Sequence, residues 1–248
     1  MPRHRKPDPG RRELLKTAGG VALLSVLPLT VEAVAADAKK LKIGIIGSGH
    51  VGSALGEVWA KAGHPVLFSS RNLENDKKLA ADIGANSRAG TPPEAAAFGE
   101  VILLAVPYKA FPELIQSVGS ELKRKVVINA SNPFPERDGQ VAEQARTQGA
   151  GLFDAQALPG ALVVRAFNAI GSARMASAHS DPGKIGLPIA GDDRKGIEVT
   201  SQLTREIGFE PVVVGGLAMG KYLVPGTPLA GEHTPDELRA IAATLSPG

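Results

Sequence analysis

The 248-residue sequence contains no cysteine, which excludes disulfide bonds, thiol nucleophiles and zinc–thiolate sites. Aromatic residues are scarce at 4%, but 43% of the residues are hydrophobic, so the chain is neither intrinsically disordered nor a disulfide scaffold. Its length allows one sizeable core and a second small lobe. The apolar segment at residues 21–36 is shorter than the roughly 20 residues that span a bilayer, and it contains Pro28 and Glu32. The sequence therefore predicts no stable membrane insertion.

The mature part of the chain also lacks an excess of charge. Of the 28 basic and 25 acidic residues, six and three respectively lie in residues 1–36, and the remainder carries 22 of each. The net charge of +3 therefore belongs to the amino terminus rather than to a folded surface. We accordingly expect no nucleic-acid partner.

The amino terminus has the pattern of an export signal. The Arg11-Arg12 pair precedes a moderately apolar run at residues 17–29, and Ala33-Val34-Ala35 supplies the small residues that a signal peptidase accepts. The pattern predicts a twin-arginine-type signal over residues 1–36, although Gly10 stands where such signals usually have Ser or Thr. The expected location is periplasmic or secreted. The alternative is a cytoplasmic protein with a basic tail.

The mature chain alternates short apolar runs with helical patterns, which is typical of an α/β fold with a parallel sheet. Strands are predicted at residues 41–46, 65–69, 101–106, 125–130, 162–167, 186–190 and 210–215, and helices at 50–61, 72–83, from Thr91 onward and at 193–207. The prediction is a Rossmann-type, doubly wound, mostly parallel sheet with a small C-terminal α/β extension. Residues 37–160 would form the main domain and residues 161–248 a small C-terminal region.

A glycine motif follows the first predicted strand, in the sequence Gly47-Ser48-Gly49-His50-Val51-Gly52. In a dinucleotide site the first glycine permits a tight turn, the second lets backbone approach a pyrophosphate, and the third allows close packing of helix on strand. The N–H groups at the start of the following helix would face the phosphates. A glycine-rich turn without a ligand is the alternative.

The end of the second predicted strand distinguishes NADP from NAD. An NAD site has Asp or Glu there to bind the ribose, but this chain has Ser69-Ser70-Arg71-Asn72. A hydroxyl and a guanidinium can hold a 2′-phosphate, so Ser70 and Arg71 predict NADP(H) as the cofactor. Alternatively, Arg71 could pair with Glu74.

With these motifs, the chain resembles the NADPH-dependent coenzyme F420 reductase family, whose module also supplies the NADPH-binding domain of animal metalloreductases. The resemblance extends from about Lys42 to Tyr222. It rests on residues 43–49, Ser70-Arg71-Asn72, Leu104-Ala105-Val106-Pro107-Tyr108, residues 128–133, Val164-Arg165-Ala166-Phe167-Asn168, residues 187–193 and residues 207–215.

The resemblance implies a set of cofactor-binding residues. It places Ser48, Gly49, His50 and Val51 on the pyrophosphate, Ser70 and Arg71 on the 2′-phosphate, Tyr108 and Phe134 near the adenine or nicotinamide, and Asn168, Ile170 and Ser172 beside the cleft of the second redox cofactor. Pro107, Asn132 and Pro133 are further expected cofactor-binding residues. Residues 37–160 would then form the NADP-binding domain and residues 161–248 a small acceptor-site region. Family members often carry a basic residue where this chain has Asn75, so Lys77 or Lys78 would have to replace it.

The sequence shows no convincing acid–base pair, and neither catalytic side chains nor a metal site are predicted. Direct hydride transfer between two cofactors needs no such pair, whereas carbonyl reduction requires a proton donor. We therefore expect an NADPH-dependent oxidoreductase that uses a small-molecule acceptor, coenzyme F420 or FMN/FAD. The alternatives are a non-catalytic NADP(H)-binding module and an imine or carbonyl reductase. The family resemblance also implies a homodimer.

Overall fold

Eight strands form one sheet in residues 39–247, the part of the chain that the computed structural model describes. The strands are β1 (Ile43–Ile46), β2 (Val66–Ser69), β3 (Ser87–Ala89), β4 (Val101–Leu104), β5 (Val126–Asn129), β6 (Leu162–Arg165), β7 (Gly186–Gly191) and β8 (Glu210–Gly215). The helices are α1 (His50–Lys61), α2 (Leu73–Ile83), α3 (Pro92–Phe98), α4 (Phe111–Val118), α5 (Pro135–Asp138), α6 (Gln140–Gln148), α7 (Ala150–Ala157), α8 (Ser172–Ser177), α9 (Arg194–Glu206) and α10 (Pro235–Ala243).

The strand order is β3-β2-β1-β4-β5-β6-β7-β8. Every neighbouring pair is parallel except β6 and β7, which are antiparallel. The order reverses between β1 and β4, and such a switch point leaves a crevice outside the carboxyl ends of the strands. This architecture confirms the predicted Rossmann-type, doubly wound fold.

Apolar side chains cover both faces of the sheet. On one face, Leu55 and Trp59 of α1 and Leu203 of α9 belong to the same buried cluster as strand residues such as Phe68. On the other face, α3 and α4 pack on a second cluster that includes Ile102 of β4. Because both faces are buried, the central strands read as continuous apolar runs, and this is why the sequence predicts them well.

The helix boundaries agree closely with the sequence pattern. Helix α1 occupies the predicted residues 50–61, and α3 begins after Thr91, whose side chain forms a capping box with Glu94. Proline at the first turn of α3 suits a position whose N–H has no intrahelical partner.

The described residues test neither the predicted export signal nor the predicted domain boundary. The predicted export signal at residues 1–36 lies outside them. Within residues 39–247, no helix combines the length and the apolar character that crossing a membrane requires. The predicted domain boundary at residue 160 falls between α7 and β6, and the sheet continues across it because β5 pairs with β6.

Candidate dinucleotide site

A cleft of about 580 Å³ lies at the switch point of the sheet. Its walls come from the segments that follow β1, β2 and β4. The lining residues are Gly47, Ser48, Gly49, Ser70, Arg71, Asn72, Asn75, Ala105, Val106, Pro107, Lys109, Ala110 and Glu113. A smaller hollow of about 170 Å³ shares Gly47, Ser70 and Arg71 with it. The structure therefore brings two of the four predicted pyrophosphate residues, Ser48 and Gly49, to one cavity with the predicted 2′-phosphate residues Ser70 and Arg71.

A wider hollow of about 730 Å³ lies elsewhere, on α6 and α7. It is a more open surface depression in which four of the eight lining residues are glutamines, and it contains none of the residues at the switch point. Ligands of open α/β sheets bind at the carboxyl ends of the strands, so the cleft beside Arg71 is the candidate site.

The three glycines of the motif have the geometry that a dinucleotide loop requires. Gly47 has a φ of +105°, which only glycine adopts readily. A Cβ on Gly52 would lie 2.0 Å from the Gly47 carbonyl oxygen, so glycine is needed where α1 packs on the loop. A Cβ on Gly49 would meet no atom within 4 Å. The open space at Gly49 is where a ligand can approach the backbone.

Helix α1 begins directly at this loop, with Gly49 as its N-cap, and no N-cap side chain forms a hydrogen bond to the first N–H groups. The first N–H groups of a helix have no intrahelical partner and carry a partial positive charge. The predicted residues His50 and Val51 lie in this turn; His50 is exposed and Val51 is half-buried. Neither side chain lines the cleft, so their backbone N–H groups are what this turn offers to a ligand.

The Arg71 guanidinium is available to a ligand. Arg71 is exposed at the end of β2 and lines the cleft. Within the described part of the chain, the Arg71 guanidinium forms no hydrogen bond or ion pair. Glu74, the partner that the sequence suggested as an alternative, is paired with Lys77 at 2.8 Å. The alternative in which Arg71 pairs with Glu74 is therefore not what the structure shows.

A second positively charged side chain at the cleft belongs to Lys109, which the sequence did not indicate. Asn75 lines the cleft, but Lys77 and Lys78, which the sequence argument offered as substitutes, do not. Instead, Lys109 reaches the cleft from the 3-10 turn Tyr108–Ala110 that follows β4. Sequence analysis missed this residue because nothing in the strand pattern indicates on which side of the turn its side chain lies.

Sequence analysis also missed a carboxylate at the cleft. It found no acidic residue at positions 69–72, but α2 places Asp76 behind the lining, with 1% of its surface exposed. The Asp76 carboxylate accepts hydrogen bonds from the Ser48 hydroxyl and from the Ser70 hydroxyl, whose Oγ lies 2.8 Å from Asp76 Oδ2. The two serines predicted to contact phosphates are thus joined through one buried carboxylate.

The neighbouring predicted residues Pro107 and Tyr108 are placed differently from each other. Pro107 lines the cleft, but the Tyr108 side chain is fully buried and stacks on Phe111 with the ring centroids 4.5 Å apart. Its hydroxyl donates to Asp154 at 2.7 Å and accepts from Arg165 at 2.8 Å. Burial raises the pKa of the Tyr108 hydroxyl. The ring therefore faces the core and does not line the cleft, and its place near the adenine or nicotinamide stays a prediction.

The remaining predicted residues gather at the ends of β5 and β6, outside this cleft. Asn132 donates to the Asn168 carbonyl at 2.8 Å, and the Asn168 side chain donates to the Asn129 and Ser131 carbonyls. The turn that places Asn168 contains Phe167, a non-glycine residue with a φ of +66°. The side-chain oxygens of Asn132 and Asn168 are buried and have no hydrogen-bond partner among the described residues.

Three further predicted residues lie near these amides. Ile170 is buried in the core, Ser172 begins α8 and is half-buried, and the Phe134 ring, which follows Pro133, is covered by the Arg137 guanidinium at 5.0 Å. Strands β1, β4, β5 and β6 are parallel, so their carboxyl ends share one edge of the sheet. The two groups of predicted residues therefore lie along the same edge.

Comparison with known proteins agrees with this geometry. Residues 42–133 match the family model described as NADP oxidoreductase, coenzyme F420-dependent. The chain is 29% identical over 205 residues to the F420-dependent NADP reductase of Methanothermobacter thermautotrophicus, covering 76% of this chain and 87% of that protein. It is also 29% identical over 180 residues to the metalloreductase STEAP3 of Rattus norvegicus, covering 73% of this chain but only 35% of that protein.

Among solved structures, a hypothetical protein from Sinorhizobium meliloti superposes with a TM-score of 0.65 at 27% identity, covering 79% of this chain and 96% of that one. The family match, the curated relatives and the shared fold confirm the resemblance that the sequence motifs carry. Residues 42–133 therefore resemble the coenzyme F420-dependent family of NADP oxidoreductases.

Proposed function

We propose that the protein binds NADP(H) in the switch-point cleft and transfers a hydride between NADP(H) and coenzyme F420 or a flavin. The observation that carries the proposal is the cleft itself, in which the Gly47–Gly49 loop and the Arg71 guanidinium, unpaired within residues 39–247, share one cavity. The name of the Methanothermobacter relative, F420-dependent NADP reductase, supports coenzyme F420 as the acceptor.

The residues present fit a phosphorylated dinucleotide. The space beside Gly49 admits a pyrophosphate, and the first turn of α1 supplies N–H donors for it. Arg71 and Lys109 place two positive charges at the cleft, where a 2′-phosphate would need them. When it is bound, reduced nicotinamide supplies the hydride, and the acceptor ring takes it up.

The protein's contribution to this reaction is binding and orientation. Two ring systems held at about 3–3.5 Å exchange a hydride without a protein acid or base. The acceptor would lie toward Asn168 and Ser172, farther along the edge of the sheet that carries the cleft. The buried side-chain atoms there that lack a partner within the described chain include the amide oxygens of Asn132 and Asn168, together with Asn129 Nδ2 and Arg165 Nε.

The experiment mixes the full-length chain with NADPH and, in separate reactions, coenzyme F420, FMN or FAD, and follows the absorbance of the reduced nicotinamide. We expect NADPH loss that requires both protein and acceptor, and reduced F420 should return hydride to NADP⁺. Lys78→Ala, which removes a charge outside the cleft, should keep this activity.

Two outcomes would contradict the proposal. Tight NADPH binding without turnover of any of the three acceptors would indicate a non-catalytic binding module. Turnover of cyclic imines or ketones alone would indicate an imine or carbonyl reductase.

A further inference from the structure

Asp76 occupies an unusual position for a carboxylate at a phosphate-binding cleft. It lies in the first turn of α2, it is 1% exposed, and it is screened from the cleft by Ser48 and Ser70. The N-terminus of a helix favours negative charge, and the hydroxyls of Ser48 and Ser70 both donate to the Asp76 carboxylate.

The hydrogen bonds of the two serines leave few protons for a ligand. A serine hydroxyl has one proton to donate. Ser48 donates its proton to Asp76 Oδ1, and Ser70 lies 3.0 and 2.8 Å from the two oxygens of the same carboxylate. The Ser70 oxygen also accepts the Asn72 N–H at 3.1 Å. In this arrangement neither hydroxyl can donate to a phosphate.

A phosphate in the cleft is therefore both attracted by basic side chains and repelled by nearby carboxylates. Arg71 and Lys109 attract it, whereas Glu113 on the cleft wall and Asp76, which lies one serine side chain away, repel it. NADPH carries a 2′-phosphate and NADH does not, so the repulsion near Ser70 affects NADPH more. Both cofactors share the pyrophosphate near Ser48, so a loss of that contact affects them equally.

We propose that Asp76 is a specificity-determining residue that weakens the preference for NADPH over NADH by holding the Ser70 hydroxyl proton away from the 2′-phosphate and by adding negative charge behind it. The inference rests on the proposed binding of NADP(H) in this cleft. The inference concerns the ratio of the affinities for NADPH and NADH, whereas the proposed function concerns whether NADP(H) binds in the cleft.

The test compares dissociation constants for NADPH and NADH, measured by calorimetric titration of the full-length chain, in wild type, Asp76→Asn and Asp82→Asn. Asp82 is exposed on the same helix, so its substitution makes the same change in net charge away from the cleft. We expect Asp76→Asn to increase the ratio of the NADH to the NADPH dissociation constant by about tenfold, because a charge-assisted bond replaces a repulsion. Asp82→Asn should leave the ratio near that of wild type.

A second variant, Asp76→Ser, replaces the carboxylate by a smaller neutral side chain. Binding of NADH by each variant shows that the variant is folded. A role of Asp76 that is only structural would weaken both cofactors together and leave the ratio unchanged. An unchanged or decreased ratio in both variants overturns the inference. If wild type binds neither cofactor, the proposed function fails and the inference fails with it, which is a different result from binding with an unaltered ratio.

Discussion

The Asp154 carboxylate and the Arg165 guanidinium form an ion pair, with Nη1 and Oδ2 2.5 Å apart, in which both side chains are fully buried. The Tyr108 hydroxyl bonds to both partners, and Arg165 also donates to the Ser131 carbonyl at 3.1 Å. Burial raises the pKa of the Asp154 carboxyl, and the Arg165 charge opposes that rise. This cluster connects α7 and β6 to the segments that follow β4 and β5, so it supports the edge of the sheet where the cleft lies.

Removing one partner of this pair should destabilise the fold strongly. Asp154→Ala leaves the Arg165 charge buried without compensation, and we expect a loss of about 3–5 kcal/mol in the free energy of unfolding. Urea denaturation measures this loss. Asp181→Asn is the control, because Asp181 pairs with Lys184 on the surface and should matter little. Equal midpoints for the two variants would contradict the structural role of the buried pair.

Two glycine substitutions should separate folding from binding. Gly52→Ala forces a Cβ to within 2.0 Å of the Gly47 carbonyl oxygen, so we expect a destabilisation of about 1–3 kcal/mol. Gly49→Ala introduces a Cβ into open space, so the melting temperature should stay near that of wild type while NADPH binding weakens. Thermal unfolding and NADPH titration of both variants check this. Undiminished NADPH binding by folded Gly49→Ala would show that the cofactor does not approach this backbone.

Glu206 should make the stability depend on pH. Partial burial acts to raise the pKa of the Glu206 carboxyl. Hydrogen bonds from His64 and Gln202 and the charge of Lys40 together lower it by more, so the pKa of Glu206 lies below its ordinary value of 4.5. A carboxyl with a lowered pKa in the folded state stabilises the fold above its unfolded pKa, and the stabilisation is lost as the pH falls through the folded value.

The measurement for Glu206 is the free energy of unfolding as a function of pH. Between neutral pH and the region below 4.5, wild type should lose more stability than Glu206→Gln, which cannot titrate. Glu57→Gln is the control, because Glu57 pairs with Lys61 on the exposed side of α1. Parallel acid profiles for wild type and Glu206→Gln would contradict the role assigned to the contact between Glu206 and His64.

The sequence alone predicts the doubly wound core because that core depends on local patterns. Buried parallel strands are continuous apolar runs, and α1 is marked by the glycine loop at its start. Strand β3 was missed because Ser87-Arg88-Ala89 is short, half-exposed and without an apolar pattern. The antiparallel direction of β7 was missed because it depends on the path of residues 166–185 and not on the strand's own composition.

The site was predictable to the extent that it is made of backbone and strand ends. The Gly47–Gly49 loop and Arg71 meet because parallel strands end at one edge of the sheet. Asp76 was not predictable, because an acidic residue in the first turn of a helix usually faces solvent, and its burial depends on Ser48, 28 residues away. The burial of the Tyr108 side chain was not predictable either, because its partners, Asp154 and Arg165, are distant in the sequence.

The most direct test of the account is calorimetric titration of NADPH and NADH into wild type and Arg71→Ala, with Lys78→Ala as the matched loss of one positive charge outside the cleft. Charge-assisted hydrogen bonds contribute about 1.5–3 kcal/mol, so Arg71→Ala should weaken NADPH binding by about tenfold or more and leave NADH binding nearly unchanged. Lys78→Ala should behave as wild type. Equal weakening of both cofactors by Arg71→Ala, or no binding of either cofactor to wild type, would contradict the assignment of this cleft to NADP(H).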